Sequence, residues 1–146
     1  MSALIVTAEL GAADFAWLDE QRRRYFPPER NQLSAHLTMF HALPPSCEDE
    51  VRRALSRLAV NPRPDALVAG LINLGRGVAY RIVSDDLRSL RNEIADHFHG
   101  MLTAQDAQGW RPHVTIMNKA EPAAAKALLA TLTADFQPRP LSITGL

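Results

Sequence analysis

The sequence predicts an α+β protein whose two halves repeat one order of elements: strand, helix, strand, helix, strand. Short β-branched apolar segments alternate with segments whose apolar residues recur at helical spacing. An offset of 77 residues also places Ile5-Val6 on Ile82-Val83 and His36-Leu37-Thr38 on His113-Val114-Thr115. We therefore expect one domain over residues 1–146, built from two duplicated lobes with mostly antiparallel sheets and pseudo-twofold symmetry around a central cleft.

The first half of the chain contains three predicted strands and two predicted helices. In order these are a strand over residues 3–9, a helix ending before Pro27-Pro28, a strand over 35–42, a helix capped by Ser46, and a strand over 66–74. Phe15, Leu18 and Tyr25 give the first helix its apolar spacing. Ser46 follows the strand-ending Pro44-Pro45, and a serine side chain can cap a helix N-terminus.

The second half follows the same order after a tight hairpin at Gly75-Arg76-Gly77. Its elements are a strand over residues 78–83, a helix capped by Ser84-Asp85-Asp86, a polar loop over 103–111, a strand over 112–118, a helix opening at Glu121-Pro122, and a strand over 141–144. Leu87, Leu90 and Ile94 lie on one side of the first of these helices. Proline is favoured in the first turn of a helix, which supports the start of the second.

The composition is that of a globular protein and excludes several functional classes. Hydrophobic residues make up 47% and charged residues 22% of the 146, which argues against disorder. No apolar run is long enough to span a membrane, and Met1-Ser2-Ala3-Leu4 lacks the basic segment of an export signal. The single cysteine, Cys47, excludes an internal disulfide. We therefore expect a cytoplasmic protein, with a monomer favoured.

The charge balance limits the range of partners. Sixteen basic and sixteen acidic residues leave no net charge, whereas proteins that grip long nucleic acids nonspecifically usually carry a basic excess. A small phosphate compound or the end of an RNA remains a suitable partner.

The two His-X-Thr motifs carry the chemistry that the sequence predicts. Side chains alternate along a strand, so His36 and Thr38 point one way, and His113 and Thr115 do the same in their strand. The pseudo-twofold axis would bring these four side chains together across the cleft. One imidazole can then remove a proton while the other donates one, and the hydroxyls can donate hydrogen bonds to phosphate oxygens. This set suits hydrolysis of a phosphodiester without a metal or cofactor.

The two motifs in their surroundings resemble those of a known family. His36-Leu37-Thr38-Met39-Phe40 and the segment from His113 to Lys119 are similar to the paired motifs of the 2H phosphoesterase superfamily, which includes bacterial 2′–5′ RNA ligase and cyclic phosphodiesterase proteins. The Gly75-Arg76-Gly77 hairpin and Arg111-Pro112 before the second motif agree with this resemblance. It covers nearly the whole chain and implies a bilobal α+β fold with the active site in the central cleft.

The resemblance also implies an activity and a set of roles. The substrate would be a 2′,3′-cyclic phosphate, another cyclic nucleotide phosphate or a 2′–5′-linked RNA end. The family histidines map onto His36 and His113, with His113 favoured as base and His36 as acid, and the family hydroxyls map onto Thr38 and Thr115. Many relatives continue with a further hairpin where this chain ends at Leu146, so the cleft wall is expected to be more open.

Basic and aromatic residues beside the motifs are candidate substrate contacts. Arg30, Arg111 and Lys119 lie near the motif strands in the sequence and are suited to phosphate contact. Phe40 would share the face of Thr38 in a regular strand and could stack on a base. The run Arg22-Arg23-Arg24 is interpreted instead as a solvated helix end.

The remaining histidines and the cysteine are weaker candidates. His41 lies five residues after His36, so in a regular strand it faces away from the cleft. His97 and His99 lie two residues apart on a predicted helix, which separates them by about 200° and disfavours a shared metal. Cys47 at the start of a helix is interpreted as incidental.

The sequence is consistent with three functions. The first is a metal-independent phosphoesterase that opens a 2′,3′-cyclic phosphate, or the related 2′–5′ RNA ligase activity. The second is a noncatalytic protein that binds a nucleotide or RNA end, although binding alone would not need paired acid–base groups. The third is a metal hydrolase that uses His41, His97 or His99.

Overall fold

The structure is a computed structural model that describes residues 2–146. These residues form six strands and five α-helices. In chain order they are β1 (Leu4–Leu10), α1 (Ala12–Tyr25), β2 (Leu37–Leu43), α2 (Glu48–Leu58), β3 (Asp65–Asn73), β4 (Val78–Val83), α3 (Asp85–His97), α4 (Ala104–Ala107), β5 (His113–Met117), α5 (Pro122–Ala134) and β6 (Arg139–Gly145). None of the helices within this described part has the length and apolar character that crossing a bilayer requires.

All six strands belong to one sheet in the order β2-β1-β6-β3-β4-β5, and every neighbouring pair is antiparallel. The two edge strands, β2 and β5, approach each other, so the sheet is nearly closed into a barrel. The α+β class and the antiparallel pairing are thereby confirmed. Exchanging β1, β2 and β3 with β4, β5 and β6, respectively, gives the same strand order when the sheet is read from its other edge. The duplication of two lobes stays a prediction.

One hydrophobic core joins the sheet to the helices. The helix contacts of the sheet come mainly from α1 on β5, α3 on β3, and α5 on β3 and β4. Among the largest fully buried side chains are Leu18, Leu37, Phe40, Ile94, Phe98 and Ile116. The apolar spacing predicted for α1 and α3 thus corresponds to faces that are buried in the core.

A β-bulge interrupts β2 directly after the first motif. Thr38 pairs with Thr7 and Phe40 pairs with Val6, so Met39 has no partner of its own on β1. Met39 and Phe40 are both fully buried, and His41 next to them is exposed. The regular alternation assumed from the sequence therefore ends at Met39, and Phe40 and His41 face opposite to the prediction.

The second motif strand has a bulge at the corresponding position. Thr115 pairs with Ala79 and Met117 pairs with Val78, which leaves Ile116 as the extra residue of β5. The two bulges lie 77 residues apart, the same offset that relates the two motifs.

Two local predictions were wrong. The N-cap of α2 is Cys47 rather than Ser46, and it makes no side-chain capping bond because Pro45–Cys47 form a separate 3₁₀ turn. The predicted loop over residues 103–111 contains the short helix α4, whose N-cap Thr103 accepts a hydrogen bond from the amide of Asp106. The cap predicted at Ser84 is confirmed, because its Oγ accepts from the amide of Leu87 at 3.0 Å.

The hairpin between β3 and β4 uses its two glycines for different reasons. Gly75 has φ +84°, a left-handed conformation that glycine adopts without a Cβ penalty. Gly77 is needed for space, since a Cβ there would overlap the backbone of Met117 and Asn118. This close approach holds the hairpin against the end of β5, just beyond the second motif.

Candidate active site

The four motif side chains line one pocket of about 860 Å³. Thr38 lies in β2 and His36 directly precedes that strand, whereas His113 and Thr115 both lie in β5. Leu37 and Val114, the middle residues of the motifs, are fully buried in the core. Burial of the middle residue therefore turns the histidine and threonine on either side of it toward the pocket.

Both motif histidines are oriented by the backbone two residues earlier in the chain. The Nδ1 atom of His36 lies 2.8 Å from the carbonyl oxygen of Ser34, and the Nδ1 atom of His113 lies 2.7 Å from that of Arg111. A carbonyl oxygen only accepts hydrogen bonds, so each Nδ1 must carry the proton that it donates. In the neutral imidazole the Nε2 atom is then the unprotonated one, free to exchange a proton with a bound molecule.

His41 also lines this pocket, which corrects the expectation that it faces away. The bulge at Met39 supplies the extra residue that returns its side chain to the face of Thr38. The carboxylate of Asp106, fully buried as a side chain, accepts from the backbone amide of His41 at 2.8 Å and from that of Ala42 at 2.9 Å. The same carboxylate lies 3.2 Å from Nδ1 of His41, so it fixes both the backbone and the imidazole.

The pocket contains a buried arginine that the sequence analysis did not identify. Arg91 in α3 is 7% exposed, donates from Nε to the carbonyl of Met39 and from Nη2 to that of Asp106, both at 2.8 Å. Its guanidinium lies over the rings of Phe40 and Trp110. Burial lowers the pKa of Arg91, but the group stays charged because arginine does not lose its proton in proteins. A fixed cation therefore lies at the first bulge, beside Thr38.

Arg22 occupies a similar position at the second motif strand and corrects the interpretation of Arg22-Arg23-Arg24 as a wholly solvated run. It is 5% exposed, donates from Nε to Oδ1 of Asn31, and reaches the carbonyl of Thr115 at 3.4 Å. Burial lowers its pKa, and nearby Asp19 opposes that effect. Arg23 and Arg24 are exposed, as expected.

Both buried arginines have a signal in the sequence. Arg22 lies four residues after Leu18, and Arg91 lies four after Leu87, so each falls on the apolar side of its helix. A charged residue on an apolar helical face must be paired or must serve a site.

A second pocket of about 520 Å³ shares His36 and Thr115 with the first, so the two form one groove through the motif residues. Arg30 and Lys119 line this second pocket, and Arg111 lines the first. The structure thus brings all three of the basic candidates to the groove.

Phe40 does not reach the groove, which corrects its assignment as a substrate contact. The bulge buries its side chain completely beneath the guanidinium of Arg91. The aromatic residue that lines the pocket is instead the half-buried Trp110, whose Nε1 donates to the carbonyl of Thr38 at 3.1 Å. Trp110 lies in the loop before the second motif and was not singled out from the sequence.

His97 and His99 lie outside the lining of both pockets of the groove. His97 is paired with Glu50 at 3.6 Å, on the side of α3 that faces α2. Among residues 2–146 no three His, Cys, Asp or Glu side chains come together as a group able to hold a metal ion.

Comparison with known proteins identifies the family of this chain. No curated protein matches the chain significantly. Residues 11–146, nearly the whole chain, match the family described as the 2′-5′ RNA ligase superfamily. The chain therefore belongs to the 2′-5′ RNA ligase superfamily, as the paired His-X-Thr motifs indicate.

Proposed function

We propose that the protein is a metal-independent phosphoesterase that acts on a 2′,3′-cyclic phosphate or a related phosphodiester of a nucleotide or RNA end. One observation carries the proposal. His36, Thr38, His113 and Thr115 surround one pocket, and each imidazole has its Nδ1 committed to a backbone carbonyl. Two acid–base groups with the same orienting contact, on two sides of one cavity, are what a single proton-transfer scheme requires.

In the proposed reaction the phosphate lies between the two motifs. Nε2 of His113 removes a proton from water as the water oxygen bonds to phosphorus, and Nε2 of His36 gives a proton to the leaving ribose oxygen as its bond to phosphorus breaks. The hydroxyls of Thr38 and Thr115 donate to the nonbridging oxygens, where negative charge increases in the transition state. The reaction consumes one water and leaves a phosphomonoester.

The buried arginines support this assignment electrostatically. Arg91 donates a hydrogen bond to the carbonyl of Met39, the residue after Thr38, and Arg22 donates one to the carbonyl of Thr115. Each places a permanent positive charge next to one motif. Because hydrogen bonds already hold these side chains in place, they need not be ordered when a ligand binds. Such preorganised charge stabilises an anionic transition state at little reorganisation cost.

Two related functions would use the same residues. A 2′–5′ ligase reaction would replace water by a ribose hydroxyl, with the same proton transfers. A binding protein would need the arginines and threonines but not two imidazoles oriented in the same way. The acid–base pair therefore favours an enzyme over a binding protein.

The test is turnover of a panel of 2′,3′-cyclic, 3′,5′-cyclic and 2′–5′-linked nucleotides, with product regiochemistry determined by NMR. We expect a 2′,3′-cyclic phosphate to be opened at an unchanged rate after treatment with a chelator. Binding without turnover of any compound would favour the binding protein. Strong inhibition by the chelator, reversed by zinc, would instead favour the metal hydrolase.

A further inference from the structure

The two halves of the groove differ at the residue that lines it just after each bulge. The offset of 77 residues that relates the motifs places His41 on Asn118. Asn118 uses its Oδ1 to accept the amide of the next residue, Lys119, at 2.9 Å. His41 is instead fixed by the buried carboxylate of Asp106 and lines the larger pocket. The first half thus adds a third imidazole to the site.

Arginine side chains lie near His41 in the larger pocket. Arg88, Arg91 and Arg111 line the same pocket, and in the described part of the chain none of the three forms an ion pair with a carboxylate. Arg88 is held by the carbonyl of Trp110 at 3.3 Å and lies over its ring. No acidic side chain from residues 2–146 lines this pocket, although the whole chain carries no net charge.

The pocket is also larger than the motif residues need. Its volume of about 860 Å³ falls in the range of sites that bury a whole small molecule, whereas one phosphate occupies only the part between the motifs. The exposed guanidinium groups of Arg88 and Arg111 and the imidazole of His41 match a second anionic group best, because arginine binds phosphate oxygens through its planar fork. Arg91 adds only its charge, since two backbone carbonyls occupy its fork.

We propose that His41 and Arg88, with the fixed charge of Arg91 nearby, form a second phosphate subsite, so that the preferred substrate carries a further phosphate in addition to the one held between the motifs. The nucleoside of such a substrate lies in the larger pocket, near Trp110. Asp106 is a positioning residue in this arrangement, because it holds Nδ1 of His41 so that Nε2–H of the imidazolium form donates to the phosphate. The substrate class rests on the proposed function, but the subsite itself is a statement about binding.

Binding is therefore the primary test, because it does not depend on turnover. Calorimetry compares adenosine 2′-monophosphate with adenosine 2′,5′-bisphosphate, and the corresponding 3′ compounds, on the full chain. We expect the wild-type protein to bind the bisphosphate of at least one pair at least tenfold more tightly than the monophosphate. His41→Asn, which installs the residue of the second half, and Arg88→Gln should each reduce that ratio severalfold.

Two control variants separate a subsite from general charge attraction. His99→Asn makes the same replacement at an exposed histidine outside the groove, so the ratio should stay at its wild-type value. Lys119→Gln removes a cation from the second pocket, so both affinities should weaken alike and the ratio should again persist.

Each outcome decides one of the two proposals. Equal binding of monophosphate and bisphosphate by the wild-type protein, or a ratio that survives both His41→Asn and Arg88→Gln, would overturn the subsite. A ratio lost equally in Lys119→Gln would also overturn it, since it would then reflect the overall charge of the groove. A preserved ratio in a protein that opens no cyclic phosphate would support the subsite while contradicting the proposed phosphoesterase activity.

Discussion

At the scale of single residues, His36 and His113 owe their orientation to their own chain. Each Nδ1 contacts a carbonyl only two residues earlier, so the local backbone fixes the imidazole without help from a distant carboxylate. His41 differs, because its partner Asp106 lies 65 residues away in sequence. The orientation of the motif histidines follows from local structure, whereas that of His41 depends on the folded loop around α4.

Replacing either motif histidine tests the acid–base scheme. His36→Ala and His113→Ala should each lower kcat for a cyclic phosphate by about a hundredfold to ten-thousandfold, the usual contribution of a general acid or base. The double variant should lose less than the product of the two, because partners in one scheme are not additive. Full activity in His113→Ala would contradict the scheme, and His99→Ala serves as the control.

Tyr80 gives a prediction about pH that does not involve the active site. It is 4% exposed, its hydroxyl donates to Oε1 of Gln21 at 2.6 Å, and burial raises its pKa above the ordinary 10.0. Above that pH the unfolded chain releases a proton that the folded protein retains, so the free energy of unfolding should fall as pH rises.

Urea unfolding followed from pH 8 to 11 measures this dependence. Tyr80→Phe should show a smaller decrease than the wild-type protein over the alkaline part of that range, because it has no phenol to ionise. Identical slopes for the two proteins would show that Tyr80 does not contribute.

At the scale of elements, the two bulges mark where sequence reasoning succeeded and where it failed. The alternation of buried and partly exposed residues from His36 to Met39 follows the strand rule, and the placement of both motifs in one pocket followed from it. A bulge adds one residue without a clear signature in a single sequence. The prediction was therefore wrong for Phe40 and His41, the first residues beyond it.

Gly77 tests the contact between the hairpin and the second motif strand. A Cβ at this buried position would lie 2.7 Å from Cα of Asn118, and backbone atoms cannot yield as a side chain can. Gly77→Ala should lower the free energy of unfolding by about 1–3 kcal/mol, measured by urea denaturation. Gly109→Ala meets nothing within 4 Å and should change stability by less than about 0.5 kcal/mol. Equal stability of the two variants would rule out the close approach.

The carboxylate of Asp106 connects α4 to β2, and replacing it tests how much this connection contributes to the free energy of unfolding. Its carboxylate oxygens accept two backbone amides of β2, and an asparagine would turn one acceptor into a donor facing an amide. Asp106→Asn should therefore lower the free energy of unfolding by about 1–3 kcal/mol in thermal or urea denaturation. The exposed Asp96→Asn is the matched control, and a similar effect in both variants would show that the connection contributes nothing.

At the scale of the whole molecule, positive charge is concentrated in the groove, and the composition does not reveal this concentration. The chain carries no net charge, yet among residues 2–146 five arginines and Lys119 line the groove together with one carboxylate, Glu29. The charge balance of the sequence favours a small phosphate partner over a long nucleic acid, which stays a prediction. It could not indicate this concentration, because Arg22 and Arg91 reach the groove from helices far from the motifs in sequence and are brought there only by tertiary packing.

The central claim is that the imidazoles of His36 and His113 act together on one phosphate. The most direct measurement is the rate of opening of a nucleoside 2′,3′-cyclic phosphate as a function of pH, for the wild-type protein and each motif variant, with and without chelator. We expect a bell-shaped wild-type profile, because one imidazole must be neutral while the other is protonated, and we expect each single variant to lose one limb of the bell. A profile with both limbs intact in His36→Ala and in His113→Ala would contradict the account.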